Sequence, residues 1–556
     1  MEKVNVYCVN TGQTYSVPLG MTFNEFAQSI LARELKINPV AVLLDNNLQD
    51  LQYRILTNGR VEFVDSDSQD GYSVIVRSLI FLLYTAFREL YPAGEMCVEY
   101  FISGGLCCTL KADGFEPTPE NVAMVAAKMD EIVASDSVIE RERLLTNDAC
   151  NIFMSHDLGD KADLLQVRGN LYTSVYKLRD SRDYFFGVLV NRTSQLKVFR
   201  LKSYGEGVLL QLPDIKDSSR LGTYFEQPKL RQIFNENRNW NKLIGVTNIG
   251  DLNRAVINGK GKDLMNVCEA MQEKKIANIA DMIASRRDKV KVVLIAGPSS
   301  SGKTTFCKRL SVQLMVNGMH PIPLSMDDYF VDREHTPLDE NGKPDFESVD
   351  AVDIPYFTES VKRILAGEEV EIPKFSFIEG KRVFDGNKVK LGKSSVLLIE
   401  GIHGLNPKVT ELLDSSAIFK VFISALTAIS IDEHNPINPT DNRLIRRMVR
   451  DYKYRGRSAQ ATLSGWEDVL AGERKYIIPY QEQADAMFNT AMIYELAVLK
   501  AQAEAMLHEV PERCHEHSKA LKLLKFLSYV KMLDSASIPH VSLLREFLGG
   551  STFKYD

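Results

Sequence analysis

Apolar and polar residues alternate over 4–9 (VNVYCV), the two-residue period of a half-buried strand. A turn at Asn10-Thr11-Gly12 leads into a second strand over 13–17. Thr22 stands three residues before Glu25, the spacing of a capping box, which predicts a helix over 22–35. Strands follow at 40–44 and 61–64. A hairpin, a helix and further strands within residues 1–65 give the element order of a β-grasp fold. The polar run 65–71 (DSDSQDG) reads as a linker.

Residues 72–240 predict a second α/β region. Apolar residues recur at helical spacing over 79–90, up to Tyr91-Pro92. Strands fit 98–102 and 106–110. A helix fits 119–133, capped by Thr118 with Pro119 in its first turn. The stretches 184–190 and 196–201 read as a hairpin, and 241–289 as a helical connector. Over 290–510 helical stretches separate five apolar strands, at 291–296, 321–325, 396–400, 419–425 and 486–489. That is the pattern of a doubly wound parallel sheet. The tail, 511–556, reads as mostly helical. The chain is therefore expected to be an α/β multidomain protein.

The strongest chemical signal follows the first of these five strands. Gly297-Pro298-Ser299-Ser300-Ser301-Gly302-Lys303-Thr304-Thr305 contains the G-x₄-G-K-T pattern between an apolar strand and a helix. Glycines let several backbone N–H groups turn toward one phosphate, and the helix N-terminus adds its dipole. Lys303 is placed to reach β/γ-phosphate oxygens, and the Thr304 hydroxyl to ligate Mg²⁺. ATP and Mg²⁺ are the expected cofactors. The second strand ends in Ser325-Met326-Asp327-Asp328-Tyr329-Phe330 and the third in Glu400-Gly401-Ile402-His403. Acids at these strand ends face the ligand crevice of an open α/β sheet. Asp327 is the candidate general base for a hydroxyl acceptor, with a helix cap as its plain structural alternative. Glu400 suits a metal-linked acid, and His403 a supporting or structural role.

A basic helix follows. Arg443, Arg446, Arg447 and Arg450 fall on one helical face, and Arg455 and Arg457 flank Gly456. From 441 to 457 there are seven Lys/Arg and two Asp, in a chain of net charge −6. Guanidinium forks suit triphosphate oxygens, so the segment is expected to close over ATP.

That net charge argues against a global field for nucleic acid or anionic membrane. The eight cysteines are scattered over 556 residues without a CxxC pair, as in a reduced, cytoplasmic protein. Cys107-Cys108 reads as small buried residues of a strand. The most apolar run, 79–84, is far shorter than the ~20 residues of a membrane span.

Together, GPSSSGKTT, the DDYF segment, EGIHGL and RDYKYRGRS resemble the uridine kinase/phosphoribulokinase family of P-loop kinases, over about 285–510. The resemblance implies Asp327 as catalytic base beside Lys303, Glu400 with Thr304 at the metal, and Arg447, Arg450, Arg455 and Arg457 on substrate and phosphates. It also implies an acceptor pocket of Phe330, Phe346, Glu347 and Phe375, with Glu347 on ribose hydroxyls. Where uridine kinases read the pyrimidine with a Tyr and a His, this chain has Phe375 and Gly380, with Phe377 as a further ring. Weak discrimination between bases is the expectation. Residues 1–230 resemble, more loosely, the TGS domain and editing domain of threonyl-tRNA synthetases. Arg77 and Phe81 replace that domain's first two histidines, and His156 lacks a partner at ligand spacing, so editing chemistry is not expected. The N-terminal half could serve an RNA, nucleotide or protein ligand. A kinase of another sugar or pantothenate-like alcohol, and an RNA-binding regulator using ATP as a switch, are the competing readings. A piece of about 280–556 is expected to keep ATP binding.

Overall fold

A computed structural model describes residues 2–340, 342–376, 379–427 and 429–555. At the N-terminus, strands Gln13–Pro18, Lys3–Cys8, Gly59–Asp65, Pro39–Leu44 and Asn47–Gln49 form one sheet in that order. The first and last strands of the unit, Lys3–Cys8 and Gly59–Asp65, pair in parallel at its centre, as in a β-grasp fold. The capping box forms as expected at Thr22 and Glu25. The helix, however, is only Phe23–Glu25, followed by a π-turn over Phe26–Ile30. The wider turn lets Phe23, Phe26 and Leu31 all reach the small core, fully buried.

The run 65–71 is not a loose linker. Ser68 caps a helix, Gln69–Leu90, that begins ten residues earlier than the apolar spacing predicted. Gly71 sits so close to the Asp65 carbonyl that a Cβ would meet it at 1.7 Å. This helix and Pro119–Ala134, capped by Thr118 as read, pack on a sheet of order Arg200–Tyr204, Gly207–Gln211, Gly105–Lys111, Glu95–Ile102. A three-stranded sheet, Ser181–Asp183, Tyr172–Leu178, Glu140–Leu145, stands beside it. The expected hairpin of 184–190 with 196–201 is absent. The apolar run is buried but irregular, because side chains rather than a partner strand satisfy its backbone. Arg77 donates twice to the Val188 carbonyl, Ser78 accepts from Val190, and Asn435 accepts from Phe186. Cys107 and Cys108 are buried in their strand, and all eight cysteines are free.

The C-terminal sheet has all five expected strands, in parallel. Its order is His320–Ser325, Ser395–Gly401, Val292–Ala296, Ile418–Ser424, Ala486–Asn489. The central strand, Val292–Ala296, is buried at every residue, as a sheet covered on both faces requires. Helices Gly261–Ala284 and Lys303–Val316 cover one face through Ile276, Ile283, Phe306 and Leu310. The tail is less helical than expected: Glu516–Leu527 and Arg545–Leu548 are its α-helices. Between them Arg545 fixes irregular turns by donating to the carbonyls of Ser535, Ile538 and Gly549. Among the described residues no helix is long and apolar enough to cross a membrane.

The two halves share a core. Helix Pro228–Ile244 crosses the expected boundary at 240, and one apolar cluster runs from Ala149, Phe153 and Leu165 to Leu444, Tyr494 and Phe547. At the same junction Lys161 reaches Asp432 at 2.7 Å and Asp183 at 3.0 Å, with His434 on Asp183 at 2.6 Å. All four side chains are at most 1% exposed. Burial opposes the Lys161 charge, yet Asp183 and Asp432 raise its pKa above the ordinary value. Lys161→Met is therefore expected to destabilise the chain by about 3–5 kcal/mol, because it strands two buried carboxylates. Chemical denaturation measures this, and a loss under about 1 kcal/mol contradicts it. The same network stands against residues 280–556 as an independent unit. Cutting there removes Lys161 and Asp183 and leaves Asp432 without its cation.

Candidate active site

The loop after Val292–Ala296 is shaped by its backbone. A Cβ on Gly297 would lie 2.0 Å from the Ile423 carbonyl oxygen, so only glycine fits against the neighbouring strand. Ser300 and Gly302 take left-handed φ of 59° and 84°, which curls the loop into the start of helix Lys303–Val316. The Ser300 and Ser301 hydroxyls are buried without hydrogen-bond partners. Lys303 donates to the Pro298 carbonyl at 3.2 Å. Burial lowers its pKa, against the pull of Glu400, Asp327 and Glu546.

The loop opens into a cleft of about 490 Å³. Ser299, Ser300, Gly302, Lys303 and Thr304 form its floor, and Asp327 and Glu400 line it from the ends of two adjacent strands. Ser325, not Asp327, caps the short turn Met326–Tyr329. Asp328 points elsewhere and accepts from the Phe375 N–H at 3.2 Å. The Thr304 hydroxyl donates to Glu400 at 3.2 Å. Burial first, then Asp327 and Glu546, push the Glu400 carboxyl up to about 7. Burial also raises Asp327, offset by Lys303, Arg455 and Arg450. Crowded oxygen donors of this kind fit a hard divalent cation, which would relieve their mutual repulsion. His403 is buried and kept neutral by desolvation, its pKa pushed down to about 4, and it packs edge-on against Tyr476.

The basic helix, Pro439–Arg455, splits its arginines, which corrects the single phosphate-facing row read from spacing. Arg443 is 2% exposed and pairs with Glu473 at 2.7 and 2.5 Å. Arg446 is fully buried on Glu495, Thr490 and the Phe547 ring. These two hold the fold. Arg447, Arg450, Arg455 and Arg457 line the cleft. The first three share the buried Asp451, and Arg447 also donates to the Ser299 hydroxyl at 2.9 Å. The unequal roles follow from a helix packed on one side: Arg446 points inward, Arg443 pairs with Glu473 while its Nε steadies the loop at the Ser299 carbonyl, 3.1 Å away, and Arg447 and Arg450 rotate toward the cleft.

The far end of the cleft brings together Phe330, Phe346, Glu347 and Phe375. Phe330 meets Phe375 edge to face at 5.7 Å. Glu347 is pushed up to about 7 by burial, against Arg447 and Lys303. It fits because position 472 is glycine: a Cβ there would sit 2.3 Å from that of Glu347. Gly380 has φ +69°, and a Cβ on it would press on Arg333 at 2.9 Å. Phe377 and Ile378 lie outside the described residues.

Two charged residues at the cleft, Arg333 and Glu546, are not signalled by the sequence. Arg333 lines the cleft where Gly380 leaves room. Glu546, in the tail 241 residues beyond Thr305, accepts from the Thr305 hydroxyl at 2.6 Å and its N–H at 3.3 Å. Neither stands in a motif, and only the folding of the tail brings Glu546 to the loop. In the N-terminal half, Arg77 donates to the Val188 carbonyl through Nε and one Nη, and Phe81 is fully buried against Phe185 at 5.3 Å. His156 ends a helix, its Nδ1 2.8 Å from the Ile152 carbonyl.

Comparison with known proteins matches residues 292–496 to the Phosphoribulokinase / Uridine kinase family. The uridine kinase of Ligilactobacillus salivarius is 28% identical over 205 residues, 36% of this chain and 86% of that protein. The threonine–tRNA ligase of Pelobacter propionicus is 29% identical over 192 residues, 34% of this chain. That similarity falls in the N-terminal part. The chain spans only about a third, 30%, of that ligase's length. Among solved structures, D-glycerate 3-kinase from Cryptococcus neoformans aligns at 13% identity with a TM-score of 0.23, covering 46% of this chain and 87% of that one.

Proposed function

We propose that this P-loop kinase transfers the γ-phosphoryl group of ATP to the 5′-hydroxyl of a nucleoside-like acceptor. The observation that carries the reading is one cleft holding a phosphate loop, a strand-end carboxylate and an aromatic pocket, with four arginines between them. ATP's phosphates would lie along the loop, with Lys303 on the β/γ oxygens. Thr304 and Glu400 would hold Mg²⁺, which neutralises charge on those phosphates when bound. Asp327 would accept the acceptor's hydroxyl proton as the oxygen attacks phosphorus. Arg447, Arg450, Arg455 and Arg457 would stabilise charge on the transferring group and exclude water. Glu347 would bind the sugar hydroxyls and the Phe330–Phe375 pair the base.

Pyrimidine-reading hydrogen bonds have no side chain at Gly380, so base choice rests on ring stacking and on Arg333. Stacking supplies only ~1–3 kcal/mol and tolerates any base. The test is kcat/KM for uridine, cytidine, adenosine, guanosine and inosine, side by side. Turnover of several within about 10³-fold of one another is expected; stricter pyrimidine selection contradicts the pocket assignment. Arg333 also favours a second reading, in which the acceptor is an alcohol bearing a carboxylate or phosphate. An alcohol of that kind outcompeting every nucleoside, with the preference lost in Arg333→Ala, would establish it.

Glu546 holds a loop N–H that faces the nucleotide in this reading, and its charge opposes phosphate. Glu546→Gln is expected to tighten ATP binding by about threefold or more, since like charges a few ångströms apart repel by ~1 kcal/mol or above. Calorimetry with a non-hydrolysable ATP analogue measures it. Weaker binding would show that Glu546 instead positions the loop for the nucleotide.

A further inference from the structure

Away from the P-loop, a cleft of about 320 Å³ opens where the β-grasp unit, the second region and the tail helix Glu516–Leu527 meet. Five cations line it, Arg77, Arg141, Arg168, Lys522 and Lys525, and one carboxylate, Asp70. They come from four separate parts of the chain: helix Gln69–Leu90, strand Glu140–Leu145, helix Gly159–Arg168 and the tail helix. A solvated basic face would place such residues along one element. Here the fold converges them on one space.

Two of the five are compensated. Arg141 pairs with Asp50 at 2.6 Å, and Lys522 shares Asp441 with Lys519, at 3.1 and 2.5 Å. Among the described residues, Arg77, Arg168 and Lys525 have no carboxylate within ion-pair distance. Arg77 bonds the Val188 carbonyl. Arg168 bonds the Tyr529 hydroxyl at 2.9 Å and leaves its Nε without a partner. Lys525 rests over the Phe186 ring at 5.1 Å. Burial, then Arg168, Arg77 and Arg141, push the Lys525 ammonium down to about 7. Mutual repulsion of this kind among cations in a cleft stores affinity for an anion.

We propose that this cleft binds a small metabolite carrying two or more phosphoryl groups, with Arg77, Arg168 and Lys525 as its main charge partners. Two uncompensated guanidinium groups and Lys525, which takes up its proton as an anion binds, together exceed what one phosphate dianion neutralises, and planar guanidinium groups match phosphate oxygens. The volume is that of a small-molecule site, not of a nucleic-acid groove. The net negative charge of the chain also disfavours a polymer of phosphates. The tail helix joins this site to the first one. Lys522 lines the cleft and also holds Asp441 in the first turn of the arginine helix. A ligand that draws on Lys522 would therefore act one ion pair away from the arginines over the P-loop.

The test titrates inorganic triphosphate into the full-length Lys303→Ala chain by calorimetry, which weakens the P-loop as a competing site, and repeats it after adding Lys525→Gln. Binding is expected to persist in the first protein and to fall at least about tenfold in the second. Lys525→Gln alone should leave the melting temperature unchanged or raise it, because it removes one of several crowded cations. Three results would overturn the proposal: no triphosphate binding by Lys303→Ala, equal affinity in the two proteins, or Lys525-dependent binding of a short single-stranded RNA without binding of triphosphate. A melting temperature lowered by Lys525→Gln would also count against it, by making Lys525 a structural residue.

Discussion

Lys303→Ala is expected to cut phosphoryl transfer by about 10²-fold or more while the protein stays folded. The side chain contributes nothing to the apolar core, and it donates to the Pro298 carbonyl within its own loop. Its charge, by contrast, stands among Glu400, Asp327 and Glu546 at the floor of the cleft. In the proposed reaction that charge acts on the β/γ oxygens, where negative charge shifts as the phosphoryl group moves. Lost contacts of a few kcal/mol in the transition state translate to the stated factor. Without Lys303 the neighbouring acids lose their compensating cation. They can take up protons, since Glu400 already sits up at about 7, so unfolding is not the expected response. Single-turnover rates with saturating ATP, beside circular dichroism, check both halves. Retention of more than about a tenth of wild-type turnover would remove the P-loop from the chemistry.

Asp327→Asn is expected to lower kcat by about 10²–10⁴-fold with little change in ATP affinity. The amide keeps the shape and loses the ability to take a proton. Its neighbour supplies the control. Asp328 accepts from the Phe375 N–H, a bond that Asp328→Asn keeps in weaker, uncharged form, so that change should raise the acceptor KM modestly and leave kcat nearly unchanged. If instead Asp328→Asn abolishes turnover and Asp327→Asn is mild, the proton acceptor is Asp328.

Much of this site was legible in the sequence because its parts are local. A strand, the eight-residue phosphate motif Gly297–Thr304 and a helix start are contiguous, and each of the two acids follows or closes a strand. All five strands of the C-terminal sheet lie within a residue or so of where the apolar runs placed them. Periodicity did less well where burial is supplied from a distance. The run Tyr184–Val190 looked like a strand, yet its backbone partners are the side chains of Arg77, Ser78 and Asn435. The arginine row could not be divided by spacing, because Arg443 and Arg446 are claimed by Glu473 and Glu495, which no motif announces. Glu546 and Arg333 reach the cleft through tertiary packing of a tail and a loop. The joint between halves was hidden for the same reason: Lys161, Asp183, Asp432 and His434 are unremarkable singly and form a network only when folded.

The most direct measurement is identification of the phosphorylated product by mass spectrometry after incubating the full-length chain with ATP, Mg²⁺ and each nucleoside in turn. A nucleoside 5′-monophosphate formed in step with ADP is the expected result, with neither product from Lys303→Ala. ADP release with no phosphorylated acceptor, across nucleosides, sugars and vitamin alcohols alike, would contradict it and leave the P-loop domain as an ATP-driven switch.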